Sequence, residues 1–138
     1  MIARPSIPPA AVATAWAPAI AYMALIWMLS SLTLNVRLSE LPLGDKGVHL
    51  VEYGVLGFLV AHASMRTWPH RGLARTFALA VFVTVLWGLL DEIHQAFVPG
   101  RSSEALDLVA DGAGAVGGAS VRAVLGLARG RAVVERAT

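Results

Sequence analysis

The sequence predicts an all-α fold, an integral membrane bundle of four transmembrane helices. Two observations lead to this class. The 138-residue chain is 57% hydrophobic and 14% charged, whereas soluble domains have about half apolar and about a quarter charged residues. Its apolar residues also form long segments joined by short, arginine-containing stretches, which is typical of membrane-spanning helices. We expect one domain over residues 1–138, and the absence of cysteine excludes a disulfide framework.

The first two segments have the length and composition of membrane-spanning helices. Residues 14–33 carry no formal charge and provide the roughly 20 apolar residues that cross a bilayer. Residues 45–65 form the second segment, in which Glu52 is the only formal charge after Asp45 and Lys46. Because an ionisable group inside a bilayer is costly, we expect Glu52 to face protein or a water-filled cavity.

The third segment reaches the required length only if it includes acids. Residues 76–90 are fifteen uncharged residues in a row, and a helix of that length spans about 22 Å of a roughly 30 Å hydrocarbon core. We therefore expect helix three over residues 75–98. Asp91 and Glu92 then lie within the membrane.

The fourth segment has the same property. A spanning helix there must cover residues 106–127, so Asp107 and Asp111 also lie within the membrane. The Pro-Gly pair after helix three is a turn signal, and we expect Ser102 or Ser103 to be the N-cap of helix four. The acids of both helices are therefore expected to face the interior of the bundle.

Three helices are expected to bring carboxyl groups to one depth. If helices two and four descend from the outside and helix three rises toward it, Glu52, Glu92 and Asp111 all lie roughly 10 Å below the outer surface. A shallower layer above them consists of His49, Gln95 and Asp107. The sequence thus predicts a shared polar cavity that opens toward one side of the membrane.

Helical spacing agrees with this convergence, because residues three or four apart share a face. One face of helix two carries His49, Glu52 and Tyr53, and one face of helix four carries Asp107, Asp111, Gly114 and Gly118. The acids of helix four therefore continue into a stripe of small residues that lets helix backbones approach closely.

The distribution of basic residues predicts the orientation, because Lys and Arg are in excess in short cytoplasmic loops. The cytoplasmic set is Arg4, Arg66, Arg71, Arg75, Arg129, Arg131 and Arg136, and the outer set is Arg37, Lys46 and Arg101. We expect both termini in the cytoplasm and the polar cavity at the outer face. The same scattering into short loops gives no basic stripe, which argues against nucleic acid as a partner.

Two stretches of the chain resemble the VanZ-like family of membrane proteins. They are DKGVHLVEYGVLGFL at residues 45–59 and EIHQAFVPGRSSEALDLVADGAGAVGG at residues 92–118. The positions that match the family pattern are Asp45, Lys46, His49, Tyr53, Glu92, Gln95, Arg101, Asp107, Gly114 and Gly118. Asp111 departs from the pattern, which has Asn there. The resemblance covers helices two to four and leaves helix one out.

The resemblance implies a multi-pass protein of the bacterial cytoplasmic membrane that is linked to the cell envelope. The name-giving relative is associated with resistance to the glycopeptide teicoplanin, which acts on wall precursors outside that membrane. The expected partners are the lipid bilayer and, in the cavity, a lipid headgroup or a lipid-linked wall precursor.

The candidate site residues fall into two groups by their chemistry. Glu92 or His49 is the candidate acid/base, with Gln95, Tyr53, Asp107 and Asp111 beside it. The candidate ligand-binding residues are Arg101 and Lys46, which would clamp an anion, together with Asp45 and Glu52. Whether the protein is an enzyme is left open at this point.

Other interpretations of the same residues remain open. The acids could join the helices as neutral, hydrogen-bonded groups, or bind a divalent metal together with His49 or His94. Intramembrane carboxylates also occur in transporters and proton-coupled proteins. A further alternative is a non-enzymatic membrane subunit that packs on a partner through its glycine stripe. The sequence does not specify an oligomeric state.

Overall fold

The computed structural model describes residues 7–32 and 44–135, with side chains as far as Arg129. Within these ranges the chain forms four helices and no strand. They are α1 (Pro9–Ser30), α2 (Gly44–Thr67), α3 (Leu73–Gln95) and α4 (Ala105–Glu135). All four are long and apolar enough to cross a membrane. The predicted all-α fold with four membrane-spanning helices is therefore confirmed.

The helix ends differ from the expected ones for local reasons. Helix α1 already begins at Pro9, because a proline in the first turn lacks only an N–H that has no helical partner there. Helix α3 ends at Gln95 and not at residue 98. After it, Phe97 N donates to His94 O at 3.0 Å and Val98 N donates to Gln95 O at 3.0 Å, so the chain tightens into a turn.

Helices α2 and α4 pack backbone against backbone through small residues. A Cβ atom added to Gly57 would lie 2.6 Å from the carbonyl oxygen of Ala115, and one added to Gly118 would overlap the carbonyl group of Gly54. Gly114 is held equally tightly against the backbone of α2. The stripe of small residues on α4 therefore has the expected role, and it sets the distance between the two helices that carry most of the polar residues.

The bundle has an apolar interior and an apolar exterior. Its core includes Ile26, Leu56 and Val60. Large apolar side chains also point outward, and Val51 and Phe82 are 66% and 65% exposed. A soluble domain rarely exposes so much continuous apolar surface, whereas lipid tails solvate it.

Charged side chains are segregated to the two ends of the described bundle. One end, where α2 and α4 begin and α3 ends, carries Asp45, Glu52, Asp91, Glu92, Glu104, Asp107 and Asp111. The other end, where α2 ends and α3 begins, carries Arg66, Arg71, Arg75, Arg122 and Arg129, and no acid from residues 44–129 lies there. The arginine-rich end is the one that the sequence analysis assigns to the cytoplasm, because Lys and Arg are in excess in cytoplasmic loops. Arg4, Arg37 and Arg136 lie outside the described residues, and the orientation of the termini stays a prediction.

The contact between α2 and α4 gives a first testable prediction. Gly118→Ala should lower stability by about 1–3 kcal/mol, because its methyl group has no room against the α2 backbone. Gly117→Ala is the matched control, since no described atom beyond its own turns of α4 lies within 4 Å of its added Cβ. Thermal unfolding of the purified protein in detergent, followed by tryptophan fluorescence, measures both. Equal effects of the two variants would contradict the packing described above.

Candidate functional site

A polar cavity of about 280 Å³ lies at the acidic end of the bundle. It is enclosed by the end of α1, the start of α2, the end of α3 and the linker before α4. Six of the predicted site residues line it, namely Asp45, His49, Glu52, Gln95, Arg101 and Asp107. Ile26, Leu29 and Val48 add an apolar wall. The cavity thus offers both polar and apolar surface to a ligand.

His49 and Asp111 connect the cavity to the bundle interior. His49 Nδ1 donates to Asp111 Oδ1 at 2.9 Å, and Asp111 is fully buried. Its second oxygen, Oδ2, lies against α3 at Gly88, where an added Cβ atom would be 2.6 Å away. The ring of Tyr53 stacks on that of His49 with an interplanar angle of 3° and 6.1 Å between centroids. Asp111 and Tyr53 therefore orient His49 and do not line the cavity themselves.

Glu92 turns away from the cavity and holds the linker. Its Oε2 accepts hydrogen bonds from Ser103 Oγ at 2.9 Å and from the backbone N–H of Glu104 at 3.0 Å. The Ser103 hydroxyl, which the sequence suggested as a helix cap, is thus bonded to a residue of α3. This contact fixes the start of α4 relative to the end of α3.

Asp91 and Ser30 belong to the site although sequence reasoning did not select them. Ser30 Oγ donates to Asp91 Oδ1 at 2.5 Å, and Gln95 Nε2 donates to Asp91 Oδ2 at 2.8 Å. All three residues line the cavity. The spacing of Asp91 and Gln95, four residues apart in a membrane segment, was an available signal. Ser30 gave none, because it is an uncharged residue at the end of an apolar helix.

The two predicted cations have different surroundings. Lys46 Nζ lies 2.9 Å from Glu104, 3.0 Å from Asp107 and 3.4 Å from Asp45. Its charge is therefore balanced within the protein. Arg101 makes no ion pair with the residues that the structure describes, and its buried Nε has no hydrogen-bond partner there. Arg101 is thus the cation that remains available to a ligand.

The remaining predicted residues are placed apart from these contacts. Glu52 lies on the cavity wall and makes no side-chain hydrogen bond within the described part of the chain. His94, one of the two histidines considered as a metal ligand, stacks on Trp27 at 4.0 Å between ring centroids and pairs with Ser31 at 2.9 Å. It therefore serves to join α3 to α1.

The contact between Ser30 and Asp91 gives a second prediction. Ser30→Ala should cost about 1–2 kcal/mol of stability, because it leaves an oxygen of the buried Asp91 without its donor. The control is Thr14→Ala, which removes an exposed hydroxyl of the same helix that donates to Ala11 O within α1 and should change stability by less than about 0.5 kcal/mol. Chemical or thermal unfolding in detergent measures both, and Asp91→Asn in the Ser30→Ala background completes a double-mutant cycle. A coupling energy of zero would contradict the bond.

Comparison with known proteins agrees with this structure. A family model described as VanZ/LLP1 matches residues 9–126. No curated protein and no solved structure matches the chain significantly. The match begins at the first residue of α1, so it includes the helix that the sequence resemblance left out and that contributes Ser30 to the cavity. The chain is therefore a multi-pass membrane protein of the VanZ/LLP1 family.

Proposed function

We propose that the cavity binds the polar headgroup of an amphiphile in the outer leaflet of the bacterial cytoplasmic membrane. The ligand class is a phospholipid or a lipid-linked wall precursor. The observation that carries the proposal is Arg101, a guanidinium that lines an otherwise acidic cavity without an ion-pair partner among the described residues. Guanidinium groups match the geometry of phosphate and carboxylate oxygens.

The other residues that line the cavity restrict which kinds of headgroup can bind. A purely anionic group would be repelled by Glu52 and Asp91, which face the same cavity. A headgroup with both a phosphate and an amine avoids this repulsion, because the phosphate pairs with Arg101 and the ammonium group pairs with the carboxylates. We therefore propose a zwitterionic headgroup, as in phosphoethanolamine lipids or in a phosphate-linked precursor with a free amine.

The size of the cavity fits a headgroup and not a whole lipid. Its volume of about 280 Å³ is slightly below the roughly 300–1,000 Å³ of small-molecule pockets. Ile26, Leu29 and Val48 supply apolar contacts on the α1 side, where the hydrocarbon chain of the ligand would leave for the bilayer. An amphiphile whose headgroup lies between the helices and whose hydrocarbon chain lies in the bilayer fits both the small volume and the apolar wall.

His49 is the side chain that we assign as the acid/base for any reaction in the cavity. It lines the cavity, and Asp111 accepts from its Nδ1, which leaves Nε2 for a ligand. A carboxylate that fixes the tautomer and orientation of a histidine is the usual support for proton transfer. Glu92, the other candidate, is engaged by Ser103 and the Glu104 backbone and is assigned to positioning the linker.

The link to teicoplanin belongs to this proposal. The drug acts on wall precursors outside the membrane, and resistance is associated with the name-giving relative of the VanZ-like family. A cavity that engages lipid-linked precursors at the outer face offers a physical route to such an effect. The cavity opens at the acidic end of the bundle, opposite the arginine-rich end, which supports an outward orientation.

Binding to the cavity can be tested with Arg101→Ala. In nanodiscs, native mass spectrometry should show phosphatidylethanolamine retained by the wild type more than phosphatidylcholine, whose methylated amine cannot donate hydrogen bonds to the carboxylates. We expect Arg101→Ala to lower this retention about tenfold or more, as for the loss of a charge-assisted contact. Arg129→Ala, at the opposite end, is the matched control. Equal retention by both variants would refute the proposed role of Arg101.

The orientation can be tested separately because the chain contains no cysteine. Single cysteines at the exposed residues Ser102 and His70 mark the two ends of the bundle. In intact cells, a membrane-impermeant maleimide should label Ser102→Cys and should reach His70→Cys only after lysis. The reverse labelling would place the cavity at the cytoplasmic side and would overturn the proposal of an outer-leaflet ligand.

A further inference from the structure

Three helices bring metal-ligating side chains together behind the cavity. His49 comes from α2, Glu92 from α3 and Asp111 from α4, and each offers one ligand atom such that all three atoms lie within 4.8 Å of one another. Asp111 is fully buried and Glu92 is 5% exposed. The two carboxylates are therefore held by the helix framework away from bulk water, while His49 also lines the cavity.

Two carboxylate oxygens of this group have no partner among the described residues. Asp111 Oδ2 and Glu92 Oε1 are both buried and accept no hydrogen bond from that part of the chain. The ring of Tyr53 stacks on that of His49, and its hydroxyl is also buried with no partner in residues 7–32 and 44–129. Buried polar groups are nearly always satisfied, and those that are not call for a bound ion or water. The two carboxylate oxygens belong to the group itself and point to a ligand within it.

A second acidic group at the same end differs from the first because it contains a cationic side chain. Asp45, Glu104 and Asp107 also offer ligand atoms within 4.8 Å of one another. Lys46 Nζ lies 2.9–3.4 Å from all three and acts as their cation. Among the described residues, neither lysine nor arginine forms an ion pair with Glu92 or Asp111. The deeper group therefore has negative charge without a permanent counter-charge.

We propose that His49, Glu92 and Asp111 bind a divalent cation such as Mn²⁺ or Zn²⁺. One imidazole with two carboxylates is a ligand set of first-row transition ions, and three protein ligands leave a coordination position open. Metal bonds of about 2.0–2.2 Å need ligand atoms roughly 3.3–3.5 Å apart, so small side-chain rotations close the group around an ion. Because Gly88 has no side chain, Oδ2 of Asp111 fits against α3. The same helix supplies Glu92.

This cation site goes beyond the proposed headgroup binding and does not rest on it. His49 is a ligand when the cation is bound, so the acid/base role proposed for it belongs to the cation-free protein. The cation would neutralise carboxylates whose charge the bundle does not otherwise balance, whatever the cavity binds. The rival explanations are protonation of Glu92 or Asp111 and a buried water that joins the Tyr53 hydroxyl to the carboxylates. Neither rival requires binding of a metal ion.

The test is a Mn²⁺ titration of the full chain in phosphatidylcholine nanodiscs, without any headgroup ligand. After treatment with a chelator, the loss of the free Mn²⁺ signal in electron paramagnetic resonance counts the bound ions. We expect one ion for each chain, displaced by Zn²⁺. Asp111→Asn and Glu92→Gln should each weaken binding about tenfold or more, as expected when a ligand is removed.

The control variant is Glu104→Gln, which removes an equal charge from the group around Lys46. It should bind Mn²⁺ within about threefold of the wild type. Asp111→Asn keeps the shape of the side chain, so an unaltered size-exclusion profile and melting temperature separate loss of a ligand from loss of the fold. Absence of Mn²⁺ binding by the wild type, or equal binding by all variants, would overturn the cation site. Failure of lipid retention alone would leave it intact.

Discussion

The backbone contact between α2 and α4 is the constraint on which the polar site depends. Gly57, Gly114 and Gly118 allow the two helices to approach more closely than side chains of any size would permit. At that separation His49 of α2 reaches Asp111 of α4. Wider spacing would break this hydrogen bond, and the buried carboxylate of Asp111 would then have no hydrogen-bond partner among the described residues.

At the acidic end, polar contacts between side chains link each helix to another. Ser30 of α1 donates to Asp91 of α3, and Glu92 of α3 receives the linker that leads into α4. Lys46 of α2 then pairs with Asp107 of α4. Intramembrane acids are tolerated where protein groups replace the water that lipid cannot supply. The same contacts join all four helices at one end, so the polar network also contributes to the fold.

Much of this arrangement followed from the sequence, and the remainder depended on side-chain direction. Charge spacing was enough to show that Asp91, Glu92, Asp107 and Asp111 lie within membrane-spanning segments. It could not show that Glu92 turns toward the linker while Asp91 faces the cavity, because adjacent residues on a helix differ by about 100°. The role of Ser30 could not be predicted for another reason. No sequence pattern identifies the hydrogen-bond partner of a serine near the end of an apolar helix.

The depth predicted for the acids has an electrical consequence. At about 10 Å below the surface of a roughly 30 Å core, their carboxyl groups would lie within the field of an energised membrane. Moving one elementary charge across the whole membrane is worth about 2.3 kcal/mol for each 100 mV. At 100 mV, an ion that crosses one third of the membrane therefore gains or loses roughly 0.8 kcal/mol for each charge that it carries. If the proposed cation site is at this depth, its occupancy depends on whether the cell maintains its membrane potential, and a de-energised cell would present a differently charged site.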